Sequence, residues 1–233
     1  MTGTLHGVGV GPGAPDLLTL RAARLIEGAS VIAYPVAPGL DSFARRIVAE
    51  LVPAGTEEIA FPVPMTVDRG PAQAAYDQGA DLIAARLDAG RDVVCLCEGD
   101  PFFYGSFMYL HARLSERYHV EVVPGVTSLT ACAARSGRPL VARNERLVVL
   151  PGPLPDDQLE ARMAEAETVA ILKVGRHLTR IRDTLARIGL LDRAIYVERA
   201  TLAEERVLPL AEVGDSAPYF SMILVTKGAD PWL

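Results

Sequence analysis

Residues 95–105, Cys95-Leu96-Cys97-Glu98-Gly99-Asp100-Pro101-Phe102-Phe103-Tyr104-Gly105, decide the fold. The residues leading in, Val93 to Leu96, are short, apolar and partly β-branched, which reads as a buried strand. Gly99-Asp100-Pro101 ends it, because these three residue types favour sharp turns. A strand that ends this way leaves backbone groups and one carboxylate at its carboxyl edge. Small ligands bind at that edge in open α/β sheets. The same tripeptide also suits an ordinary turn from strand to helix. Three more segments repeat the layout. Residues 8–20 (VGVGPGAPDLLTL) run from strand through a glycine-rich loop into an apolar helix. Residues 121–130 (EVVPGVTSLT) place Thr127 and Ser128 after a strand and Pro124-Gly125. Residues 195–206 (IYVERATLAEER) follow a strand with Glu198-Arg199-Ala200-Thr201.

Outward from these motifs the chain alternates. Strand patterns fall near 5–10, 30–34, 57–61, 92–97 and 119–123. Helical patterns fall at Leu17–Glu27, with Leu18, Ala22, Leu25 and Ile26 on one stripe, and at Ser42–Leu51 and Pro71–Ala89. Pro71 suits a first helical turn and Gly90 a stop. Such alternation predicts an α/β fold whose N-terminal domain, residues 1–140, holds a mainly parallel sheet with helices on both faces. After Gly137 the pattern restarts. Strands are expected at 147–150, 169–173 and 194–198, with helices at 155–166 and 178–188. Two last strands, Arg206–Leu208 and Phe220–Thr226, are expected to be neighbours in a mixed sheet. A second αβα domain over residues 141–233 follows, with the joint near 138–145.

The 233 residues carry a net charge of −6 and are 50% hydrophobic. That balance argues against nonspecific nucleic-acid binding. No apolar run has the length of a membrane span, and the N-terminus has no secretory-signal layout, so a cytoplasmic location is expected. Cys95, Cys97 and Cys132 lie in apolar contexts and read as buried thiols, with Cys95 and Cys97 on the same face of their strand. The four histidines show no metal-ligand spacing, and no metal is expected. Of the basic residues only Lys173 and Lys227 are lysines. A GC-rich genome would give that bias, and so would a need to grip carboxylates at two points.

The four strand-end motifs, in this order from Val8 to about Lys227, resemble those of the tetrapyrrole methylases. These enzymes move methyl from S-adenosylmethionine to porphyrin-like macrocycles. The resemblance is strongest to the branch acting on carbon 20 of precorrin-2, or of its cobalt-containing relative, in corrin synthesis. It implies a cofactor cleft between two αβα domains and a homodimer. It also implies cofactor contacts from Pro12, Gly99, Asp100, Pro101, Phe103, Thr127, Ser128, Leu129, Val174 and Ala200. Read without it, Thr127 and Ser128 are also good helix N-cap residues, and Val174 is simply core. The loop Gly9-Val10-Gly11-Pro12-Gly13 is not a dinucleotide fingerprint, because the third glycine of G-x-G-x-x-G is missing and Pro12 has no N–H for a phosphate. Family members often carry Asp where this chain has Ala14.

Methyl transfer to carbon needs placement more than side-chain chemistry. A base then removes a proton, and Tyr34, Glu98, Tyr104 and Glu198 are the candidates. Arg21, Arg24, Arg45, Arg46, Arg143, Arg176 and Arg199 form the pool for substrate carboxylates. In methylases acting on uroporphyrinogen III an aspartate follows the tyrosine of the second strand. Here Pro35 follows Tyr34, as in the carbon-20 branch, and Tyr219-Phe220-Ser221-Met222 fits the same branch. The rival expectations are another tetrapyrrole methylase, such as the uroporphyrinogen-III enzyme, or a tetrapyrrole carrier without turnover.

Overall fold

The computed structural model describes residues 1–64 and 68–228. Contacts divide the chain into two units, Met1–Thr127 and Ser128–Leu233. The division comes earlier than the joint expected near 138–145, and the helix after Thr127 supplies the reason below.

In the first unit the short apolar runs become five parallel strands: β1 (Leu5–Gly9), β2 (Val31–Val36), β3 (Glu57–Pro62), β4 (Val93–Cys97) and β5 (Val120–Val123). Their order is β3-β2-β4-β1-β5. Alternation along each strand fills two cores. Val31, Ala33, Val93, Cys95 and Cys97 face one side with Phe61 and Phe107. Ile32, Tyr34, Val94, Leu96, Val8 and Val10 face the other. Burial on both faces explains why these strands read as continuous apolar runs.

Four helices cover the two faces. α1 (Leu20–Glu27) starts later than Leu17, because Thr19 caps it by accepting the Ala22 N–H at 3.1 Å and Pro15–Leu17 forms a separate short turn. α2 (Phe43–Ile47) is capped by Ser42 and is shorter than the 42–51 expected. α3 (Gly70–Asp88) lays Tyr76, Gly79, Ala80, Ile83, Ala84 and Leu87 on the sheet. Gly79 is needed there, since a Cβ would meet the Phe61 ring at 2.9 Å. α4 (Phe107–Leu114), not anticipated as a helix of its own, follows the aromatic run and buries Phe107, Leu110 and Leu114 at helical spacing.

The second unit opens with α5 (Ser128–Ser136). Its sheet is built from β6 (Leu147–Pro151), β7 (Thr168–Leu172), β8 (Ala194–Glu198), β9 (Arg206–Pro209) and β10 (Ser221–Thr226), in the order β6-β7-β10-β8-β9. β6 and β7 are parallel, and β10 runs antiparallel to both β7 and β8. The expected pairing of the last two strands is therefore corrected: β8 lies between β9 and β10. Chain neighbours need not pair when the connection is long enough to cross a strand, as residues 210–220 are here. α5 packs against β8 and β10, which assigns it to this unit. α6 (Asp156–Glu165) and α7 (Leu178–Arg187) cover the other face through Leu159, Met163, Leu178, Ile181 and Leu185. Among the described residues no helix is long and apolar enough to cross a membrane.

Candidate active site

In the first unit, four glycines let the carboxyl ends of β1, β4 and β5 close on one another. Gly11 and Gly99 exchange backbone hydrogen bonds of 3.2 and 2.8 Å, and both have positive φ. A Cβ on Gly9 would lie 2.6 Å from the Gly99 oxygen, and one on Gly125 only 2.1 Å from it. Side chains at these positions would wedge the three strand ends apart.

Asp100 ties the turn together. Its Oδ1 accepts the Phe102 and Phe103 N–H groups at 2.9 and 3.0 Å, and its Oδ2 accepts the Gly125 N–H at 3.0 Å. One carboxylate thus locks the turn after β4 to the turn after β5. The carboxylate that the sequence places at this edge already holds backbone amides with both of its oxygens. Above Gly99 the space is open, since an added Cβ would find only the Val126 oxygen, at 4.0 Å. Pro101 is buried, Pro12 and Phe103 are half-buried, and Phe102 and Tyr104 are exposed. Tyr104 has φ 56°, a left-handed conformation costly for an aromatic residue, held here between Phe103, whose ring it meets edge-on, and Gly105. Thr127 closes this unit, half-buried.

The four candidate bases are not alike. Tyr34 donates to Glu58 at 2.5 Å, and Arg45 grips the same carboxylate with two bonds of 3.0 Å. Burial, then the bond to Glu58, push the Tyr34 phenol up to about 12. A phenol so held is a committed donor and a poor proton acceptor. Glu198, in the second unit, is buried and accepts from Tyr196 at 2.5 Å and Arg206 at 3.3 Å, so it serves packing. Glu98 differs. It makes no hydrogen bond or ion pair among the described residues, and burial pushes its carboxyl up to about 7. Its side chain nevertheless keeps an exposed side. The enclosing protein sets the direction of the rise, and the open side leaves the group able to exchange protons with water.

In the second unit the carboxyl ends of β6, β7 and β8 share one edge with the start of β10. Lys173 and Arg199 follow β7 and β8 with φ 56° and 50°, and Thr201 has φ 71°. Strained backbone of this kind gathers at functional sites. Nothing in the sequence pattern marked Lys173, Arg199 or Thr201 as strained, since none is glycine or asparagine. Gly152 packs beside this edge, where a Cβ would lie 2.7 Å from the Lys173 oxygen. Val174 is fully buried in the core, and Ala200 is buried just past β8. Leu129 is buried and Ser128 exposed at the start of α5.

The arginine pool thins in the folded chain. Arg21 pairs with Glu121, Arg45 with Glu58, and Arg46 stacks over Phe43. Arg143 also has a partner. Among the described residues Arg176 reaches the neighbouring His177. Arg24 and Arg199 hold no ion pair among the described residues. Cys95 and Cys97 are free and buried on one face, and burial raises both thiols far from reactivity.

The family described as Tetrapyrrole (Corrin/Porphyrin) Methylases matches residues 4–214. A Sinorhizobium protein named Precorrin-2 C(20)-methyltransferase is 43% identical, with 98% of this chain and 97% of that protein aligned. A Mycobacterium bovis protein named Cobalamin biosynthesis protein CobIJ is 45% identical over 97% of this chain, which spans only 46% of that longer protein. The structure of a Thermus thermophilus uroporphyrin-III C-methyl transferase complexed with S-adenyl homocysteine superposes with a TM-score of 0.70 at 30% identity, covering 97% of this chain and 92% of that one.

Proposed function

This chain belongs to the tetrapyrrole methylase family, and from that premise we propose that it transfers one methyl group from S-adenosylmethionine to carbon 20 of precorrin-2 or its cobalt-containing relative. The observation carrying the proposal is the 43% identity, end to end in both chains, with a relative named for that reaction. Pro35 supports the same branch, because its side chain can move no proton at the position where the uroporphyrinogen branch has an aspartate.

The residues present fit the cofactor. A nucleoside needs close backbone approach, and the open space above Gly99 allows it. A sulfonium favours aromatic faces, and Phe103 and Tyr104 stand on the same turn. Bound there, S-adenosylmethionine supplies an activated methyl group. The protein's share is to hold the donor and carbon 20 in line, keep water out, and accept a proton. Gly99, Asp100, Pro101, Phe103, Pro12 and Thr127 would form or shape the cofactor site, Asp100 by fixing the two turns. Ser128, Leu129, Val174 and Ala200 would approach through backbone. The working form is a homodimer.

The test is product analysis with carbon-labelled S-adenosylmethionine. Precorrin-2 should gain one methyl at carbon 20 by mass spectrometry and carbon NMR. Double methylation of uroporphyrinogen III at ring carbons would refute the proposal. Binding of the macrocycle with no turnover would instead favour the carrier.

A further inference from the structure

The crevice at the carboxyl edge of the first sheet is where β2 and β4 part. Their pairing is limited to Ile32–Val94 and Ala33–Cys95, while β2 continues beside β3 as far as Val36–Pro62. Pro35 lacks the N–H that a longer pairing would need. From β2 the chain leads outward to β3, and from β4 it crosses to β5 on the other side of the sheet. Divergent connections of this kind open a ligand crevice between adjacent strands.

Glu98 stands on the rim of that crevice. Along β4, Val94 and Leu96 face the α1/α2 side, and the alternation carries Glu98 to the same side. Register with β1, Val8 against Leu96 and Gly9 against Cys97, sets Val10 beside it, and the parting of β2 leaves its other flank to the crevice. The valine beside it offers the carboxylate no donor on that flank, while its exposed side stays open to water.

The charged and titratable groups around this face are few. Cys97 lies on its own strand, and Tyr34 is one row back on β2, bonded to Glu58. The turn after β1 carries Asp16, α1 carries Arg21, Arg24 and Glu27, and α2 carries Arg45 and Arg46. None of them bonds to Glu98. An unpaired carboxylate at a ligand crevice, beside the turn proposed to hold the methyl donor, has one chemical use that its surroundings do not already satisfy.

We propose that Glu98 is the proton acceptor that completes methylation. The inference rests on the function proposed above and names the group that reaction needs. Carbon 20 forms a bond to the methyl carbon as the sulfur–methyl bond breaks, and that bond's electron pair stays on sulfur. The macrocycle is then cationic and carries both hydrogen and methyl on carbon 20. The Glu98 carboxylate takes the hydrogen as a proton, the C–H pair returns to the ring system, and the product is neutral. Glu98 then releases the proton to water on its open side.

The experiment compares wild type, Glu98→Gln and Glu98→Asp with precorrin-2 carrying hydrogen or deuterium at carbon 20. Calorimetry with S-adenosylhomocysteine checks that each variant is folded. Glu98→Gln should bind that ligand within about threefold of wild type while kcat falls about 100-fold or more, as loss of a general base predicts. Glu98→Asp should recover part of the rate. Wild-type kcat should rise with pH through an ionisation near 7, and the glutamine variant should lose that limb and gain a primary isotope effect. Single-turnover kcat within about threefold of wild type, with the acid limb intact, would overturn the role of Glu98 and leave the function standing. A wild-type enzyme that leaves precorrin-2 unmethylated would overturn both.

Discussion

Replacing Asp100 should loosen two turns at once. In the folded chain its carboxylate accepts three backbone N–H groups, from Phe102, Phe103 and Gly125, at 2.9–3.0 Å. Phe102 is exposed, so water replaces its lost acceptor at small cost. The amides of Phe103 and Gly125 are partly buried, and leaving each without a partner costs about 1–3 kcal/mol. Asp100→Ala should therefore lose about 2–6 kcal/mol, or about 4–24 °C in melting temperature at roughly 2–4 °C per kcal/mol. Asp100→Asn is the sharper probe. Its carbonyl can keep the bonds made by Oδ1, but its NH2 then faces the Gly125 N–H, donor against donor. It should lose about 1–3 kcal/mol, concentrated at the turn after β5. Thermal melts give the global figure, and amide hydrogen exchange gives the local one. Exchange at Gly125 should quicken about tenfold or more in both variants, since 1.4 kcal/mol is a factor of ten. Exchange at Phe103 should quicken only in the alanine variant. If Asp100→Ala melts within about 1 °C of wild type, with exchange at both amides unchanged, the carboxylate does not hold these turns.

Other outcomes follow from the same edge and its surroundings. Gly125→Ala places a Cβ 2.1 Å from the Gly99 oxygen, a backbone atom that cannot swing away, and should cost about 1–3 kcal/mol or more in a urea melt. Tyr34→Phe removes the bond to Glu58 and should lower stability by about 0.5–1.5 kcal/mol while kcat stays within about threefold of wild type; a collapse of kcat would restore Tyr34 as a base. Arg45 and Tyr34 hold the Glu58 carboxyl below its ordinary value, so its contribution is present above the unfolded carboxylate range and lost as pH falls through the lowered value. Arg45→Leu should accordingly move the acid-unfolding midpoint to higher pH, and an unchanged midpoint would count against the pairing. If Arg199 and Arg24 hold substrate carboxylates, KM for the macrocycle should rise with salt while affinity for S-adenosylhomocysteine changes little.

The sequence alone determined the alternation of strands and helices, the doubly covered parallel sheet and the four strand-end turns. Those features depend on local signals: apolar runs of strand length, Pro71 and Gly90 bracketing α3, and glycines where strand ends must touch. It also separated Pro35 from an acidic residue, which is a matter of identity and needs no fold. Strand order was decided elsewhere. β8 lies between β9 and β10, and α5 joins the second unit, because pairing between distant segments depends on which faces can be buried together. The fates of the carboxylates were also tertiary. Glu58, Glu98, Asp100 and Glu198 are alike in carrying a carboxylate, yet one is clamped by Arg45, one holds three amides, one is sealed under Tyr196 and Arg206, and of the four only Glu98 is left unpaired. A carboxylate's chemistry is set by the donors within about 3 Å of it and by the water it keeps. Both come from residues far away in the chain, such as Gly125 for Asp100 and Val10 for Glu98.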